Sequence, residues 1–214
     1  MTKSPLARLV EPHRTAVLVV DVQPLFTEDI VPPADQVLPA LKRFLAAARG
    51  THVLRVFIRF MRAAVPTERW MAVWQEQLGA DVMELVAPDS PMVAYSPGFE
   101  PEAGDLEVIK DHYSAFQGTS LADQLRSRGI ETVIVAGLTT AVCVSSTARD
   151  AFQHDFHTVT LSDCCAEDNL VEHEAALQTL GRVFGRVCSS DDVVAAWQTW
   201  HTTVGGESVE QAHE

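Results

Sequence analysis

Cys143 follows an apolar run, Val133-Ile134-Val135-Ala136, that is broken by Gly137 and then by Thr139 and Thr140. The pattern reads as a buried strand, a tight turn and a helix start, the arrangement by which open α/β sheets place ligands beyond the carboxyl ends of their strands. A cysteine at such a helix start meets unpaired backbone N–H groups and the positive end of the helix dipole, and both favour the thiolate. Asp21 closes a second apolar run, Thr15-Ala16-Val17-Leu18-Val19-Val20, and Lys110 closes a third, Leu106-Glu107-Val108-Ile109. In a parallel sheet all carboxyl ends share one edge, so residues far apart in sequence can meet there.

Together these types describe acyl transfer. Cys143 is the nucleophile, Lys110 stabilises its thiolate by charge, and Asp21 takes the thiol proton and returns it to a leaving nitrogen. Backbone N–H groups around Thr139 and Cys143 are placed to bind a developing oxyanion. The alternative is that Cys143 is a small buried hydrophobe and Lys110–Asp21 a structural ion pair; spacing alone leaves both open.

The elements that must position these residues alternate strand and helix. Strands are expected over residues 15–21, 52–59, 106–110, 132–136, 158–163 and 183–188. Residues 34–50 are helical, because Val37, Leu38, Leu41, Phe44, Leu45 and Ala48 recur at helical spacing. Further helices are expected over 67–78, 143–153, 172–180, where Gly181 stops the helix, and 193–200. Residues 1–14 read as a loose lead-in, and the chain after Thr202 as a frayed polar tail; the flexible ends are set at about 1–12 and 203–214. Residues 88–101, rich in proline, read as a surface loop or lid. The alternation implies one α/β domain over residues 1–214, with helices on both faces of a mostly parallel sheet.

Composition narrows the function. The 214 residues carry a net charge of −13, which excludes nucleic acid and anionic membranes as main partners. The first residues hold no secretory apolar region, and no apolar run is long enough to span a bilayer. The four cysteines include the adjacent pair Cys164-Cys165, fit no zinc spacing, and point to a reducing cytoplasm.

Three motifs are similar to those of the isochorismatase-like cysteine hydrolases. They are Asp21-Val22-Gln23 with Phe26; Lys110 with Ser114-Ala115-Phe116; and Gly137-x-Thr139-x-x-x-Cys143-Val144-x-x-Thr147-Ala148-x-Asp150-Ala151. The likeness runs from about Thr15 to Trp197. It implies a three-layer α/β/α fold on a six-stranded parallel sheet, in a homo-oligomer such as a dimer or tetramer. It implies a triad of Cys143, Asp21 and Lys110, an oxyanion hole from the backbone of Thr139 and Cys143, and a non-proline cis peptide at Leu138-Thr139. Phe26, Gln23, Arg59, Phe116 and Trp70 are candidate substrate contacts, with Arg62 and Trp74 beside them. The nicotinamidase-like branch carries an Asp-x-His metal motif where this chain has Phe57-Ile58-Arg59-Phe60-Met61. That difference removes the metal, so the expectation is no cofactor and a small-molecule substrate. The expected reaction is hydrolysis of an amide, carbamoyl, ureido or lactam C–N bond through a thioester. The alternatives are vinyl-ether hydrolysis of the isochorismatase type, which the presence of Cys143 disfavours, and a catalytically silent oligomeric family member.

Overall fold

The computed structural model describes residues 3–62, 69–79 and 82–204. Six parallel strands form one sheet: β1 (Thr15–Val20), β2 (Leu54–Phe60), β3 (Leu106–Lys110), β4 (Thr132–Leu138), β5 (His157–Ala166) and β6 (Arg186–Cys188), in the order β3-β2-β1-β4-β5-β6. The order reverses beside β1, where β4 is laid down next to it, and such switch points hold ligand crevices. Every residue of β1 and β4 is buried, as expected for central strands covered on both faces.

Alternation along the strands divides the core in two. Val17, Val19, Phe57 and Ile134 face α2 (Ala34–Arg49) and α8 (Ser190–Val204), meeting Leu41, Phe44 and Trp197. Leu18, Val20, Ile58 and Val135 face the other way, toward α5 (Leu121–Arg126) and α6 (Ser145–Gln153), meeting Leu125, Ala148 and Ala151. This is the three-layer α/β/α architecture.

Local signals explain most element ends. Asn169 Oδ1 accepts from the N–H groups of Val171 and Glu172, so α7 (Leu170–Thr179) starts two residues before its expected position. Gly181 does not stop that helix; the helical segment continues through a π-type turn, Leu180–Phe184, and ends at Gly185, where a Cβ would lie 2.0 Å from Thr158 Oγ1. Ser189 and Asp192 cap α8 reciprocally: Ser189 N–H donates to Asp192 Oδ2 and Asp192 N–H donates to Ser189 Oγ.

The lead-in is not loose. Ser4 caps α1 (Pro5–Leu9), whose Ala7 is fully buried, and Val10 beyond it is buried as well. The indole N–H of Trp200 donates to Ala7 O and that of Trp197 to Val10 O, so two tryptophans of α8 hold this segment. Residues 88–101 are docked on the body of the domain. Val93 and Phe99 are buried, and Ser96 N–H donates to Val22 O. No membrane-length apolar helix occurs among the described residues.

Candidate active site

Asp21, Lys110 and Cys143 come together at the carboxyl edge of the sheet. Asp21 follows β1 directly; its N–H still donates to Ile58 O of β2, while φ of 49° turns the chain away. Asp tolerates this left-handed conformation better than most residues. Lys110 is the last residue of β3, which is not a neighbour of β1. Its side chain crosses the end of β2, passing Nζ 4.9 Å from the Phe60 ring centroid, and reaches Asp21 Oδ2 at 2.6 Å. Lys110 Nζ also lies 3.4 Å from Cys143 Sγ and donates to His112 O. A four-carbon stem is what this reach across a strand requires.

Cys143 lies on a π-type turn, Thr140–Val144, that runs into α6. Thr139 O accepts from Val144 N–H at 3.0 Å, five residues on, so the helical segment begins three residues before the expected start at Cys143. Turns of this kind recur at functional sites. The Leu138-Thr139 peptide preceding it is cis. Gly137, at φ of 121°, is the position where β4 shifts register against β5; a Cβ there would sit 2.0 Å from Val20 O, so only glycine lets β4 approach β1 this closely beside Asp21.

Burial governs the electrostatics. All three side chains are within 4% of full burial. Burial raises the Asp21 pKa, against the opposing pull of the Lys110 ammonium. Burial alone would lower Lys110, but Asp21 and Cys143 outweigh it and hold the ammonium charged. The Cys143 thiol is pushed well up, first by burial and then by Asp21, with Lys110 opposing. Burial therefore works against the charged forms of Cys143 and Asp21, and the Lys110 ammonium works for both. Lys110 favours the thiolate as expected, and desolvation opposes it.

A cavity of about 470 Å³ opens onto Cys143 and Thr139. Phe26, Phe60, Trp74, Tyr113 and Val142 line it, with the Phe60 and Trp74 ring centroids 5.5 Å apart. The indole N–H of Trp74, on α3 (Arg69–Leu78), donates to the Tyr113 hydroxyl. Phe26 is thus where the sequence places it, and Trp74 joins it. The Trp70 side chain lies outside the described residues.

The other candidate contacts fall elsewhere. Gln23 is fully buried and committed to the backbone: its amide N–H groups donate to Phe60 O and Val93 O, and its Oε1 accepts from Phe60 N–H. It ties the loop after β1 to β2, with both amide donors used and the side chain wholly buried away from the cavity lining. Arg59 alternates with Phe60 and so projects to the opposite face, against the Tyr95 ring and 3.4 Å from Glu107. Arg62 is buried and donates to Asp111 O. Phe116 packs against Phe156 and His154, away from the cavity.

Sequence reasoning missed Glu167. It is 3% exposed, lines the cavity with Asp168, and accepts the Ala141 N–H at 2.7 Å, bracing the π-type turn that carries Cys143. The rule that found Asp21, a charge directly after an apolar strand, also finds Glu167 once β5 is read through Ala166 rather than ended at Asp163. Thr140 is braced in turn by a hydrogen bond of 2.9 Å between its hydroxyl and His173 Nδ1. Among the described residues no cluster of three or more His, Cys, Asp or Glu is placed to hold a metal ion.

Known proteins share this frame. The Isochorismatase domain model matches residues 15–192. A maleamate amidohydrolase of Pseudomonas putida is 32% identical over 171 residues, which span 80% of this chain and 77% of that one. A ureidoacrylate amidohydrolase of Acinetobacter baylyi is 36% identical over 100 residues, 46% of this chain and 41% of the relative, so that match spans less than half the relative's length. Among solved structures, a cysteine hydrolase from Pseudomonas syringae pv. phaseolicola superposes with a TM-score of 0.80 at 29% identity, over 92% of this chain and 99% of that chain. An isochorismatase-like hydrolase from Alkaliphilus metalliredigens gives 0.71 at 26% identity, over 86% and 96%. With the sheet order, the edge site and the domain match in agreement, the chain belongs to the isochorismatase family of hydrolases.

Proposed function

We propose that the protein is a cysteine-dependent amidohydrolase that cleaves a C–N bond of a small molecule through a thioester. The observation that carries this is the Lys110 ammonium, 2.6 Å from Asp21 and 3.4 Å from Cys143 Sγ, at the end of a cavity open to Thr139 and Cys143. Two relatives named for amide hydrolysis support the bond type.

Burial disfavours a free thiolate, so the thiol is activated as it reacts. Asp21 removes the proton while Sγ forms a bond to the substrate carbonyl carbon, and the carbonyl oxygen becomes an oxyanion held by the N–H groups of Thr139 and Cys143. Collapse breaks the C–N bond as Asp21 passes its proton to the leaving nitrogen. Water then loses a proton to Asp21 and attacks the thioester; the S–C bond breaks, and Asp21 returns that proton to sulfur. Lys110 stays charged throughout, and its field keeps Asp21 a competent base despite burial.

A screen for released ammonia or amine over small amides, ureides and lactams tests the reading. Turnover by the wild type and none by Cys143→Ala is expected; equal turnover by both contradicts it.

A further inference from the structure

We infer that the substrate carries no carboxylate, and that the site takes an uncharged amide with an apolar body. This rests on the amidohydrolase reading above and narrows it. Maleamate and ureidoacrylate, which name two relatives, are both carboxylates, and a site for such compounds needs a cation facing the substrate. Here the described lining offers none: among the described residues no lysine, arginine or histidine borders the cavity, and the ionisable side chains that do, besides Tyr113 and Cys143, are the acids Glu167 and Asp168. Lys110, the cation nearest Cys143, is committed to Asp21. Arg59 projects to the opposite face beside Glu107, and Arg62 reaches Asp111.

The two acids are on opposite terms with the protein. Glu167 is held by Ala141 N–H at 2.7 Å, Asp168 N–H at 3.2 Å and the Thr139 hydroxyl, and no cation among the described residues pairs with it. Asp168 is exposed at the rim. A substrate carboxylate would lose its water and meet like charge without compensation. The chain's net charge of −13 opposes the approach of anions as well. The remaining walls, including Phe26, Phe60, Trp74, Val86 and Val142, suit an aromatic or branched aliphatic group, and about 470 Å³ lies within the range of small-molecule pockets.

Matched pairs test the assignment: phenylacetamide against 4-carboxyphenylacetamide, and isocrotonamide (cis-but-2-enamide) against maleamate. Binding is measured by calorimetry on Cys143→Ala, and by protection of wild-type Cys143 from iodoacetamide should that variant fail to fold. The neutral member of each pair is expected to bind at least about tenfold more tightly, and Asp168→Asn with Glu167→Gln to narrow that gap several-fold. Equal or tighter binding of the carboxylates, no binding of the neutral amides, or a gap unchanged by the substitutions overturns the inference. Release of ammonia or amine by the wild type is scored separately: neutral amides that bind but are never cleaved contradict the amidohydrolase reading and leave the substrate preference standing.

Discussion

Asp21 and Lys110 depend on each other more than either depends on Cys143. Each is fully or almost fully buried, so removing one charge leaves the other unpaired in a low-dielectric site. Asp21→Asn is expected to destabilise the fold by about 3–5 kcal/mol in chemical denaturation, and Asp21→Asn with Lys110→Met by clearly less than the sum of the single changes. Additive losses would show that the pair is not coupled. The same burial sets the acid limb of activity. The reaction needs the Asp21 carboxylate, whose pKa is raised above the ordinary 3.8, so kcat/KM falls with decreasing pH at a higher value than an exposed aspartate would give. A limb at or below the ordinary value contradicts this account of Asp21.

At the scale of elements, the site is a strand crossing and a braced turn. Gly137→Ala brings a Cβ against Val20 O at a φ of 121°, and a loss of more than about 2 kcal/mol of stability is expected by denaturant titration, because the obstructing atoms are Val20 backbone within the sheet and cannot rotate away. The brace at Thr140 has a pH signature. Burial lowers the His173 pKa, so the fold prefers the neutral ring. That contribution is fully present above the imidazole's unfolded value of about 6.5 and is lost as pH falls through His173's lower folded value. The difference in Tm between wild type and His173→Gln is expected to shrink from about pH 7 to pH 5; a constant difference contradicts it. These braces were hard to read from sequence. Lys110, Asp21 and Cys143 were legible because charge or thiol directly beyond an apolar run is costly without a purpose. Glu167 was hidden because Ser162 and Asp163 interrupt the apolar pattern of β5, although Asp163 is used to anchor α8 through Ser190.

Across the whole molecule, the fold class and its six strands were legible because buried strands and amphipathic helices have different periods. Side-chain destinations were not. Gln23, Arg59 and Phe116 sit near strand ends as motif spacing demands, yet alternation and local hydrogen bonds turn each away from the cavity. The docking of α1 onto α8 was equally unreadable, since it rests on two indole N–H bonds between opposite ends of the chain. The central claim remains that Cys143 bonds covalently to the acyl group of a neutral amide. Acid quench during turnover, followed by mass spectrometry of the digested protein, tests it most directly. The account predicts an acyl adduct on the Cys143 peptide in the wild type and neither adduct nor turnover in Cys143→Ala; turnover that persists in Cys143→Ala, or an adduct on another residue, would contradict it.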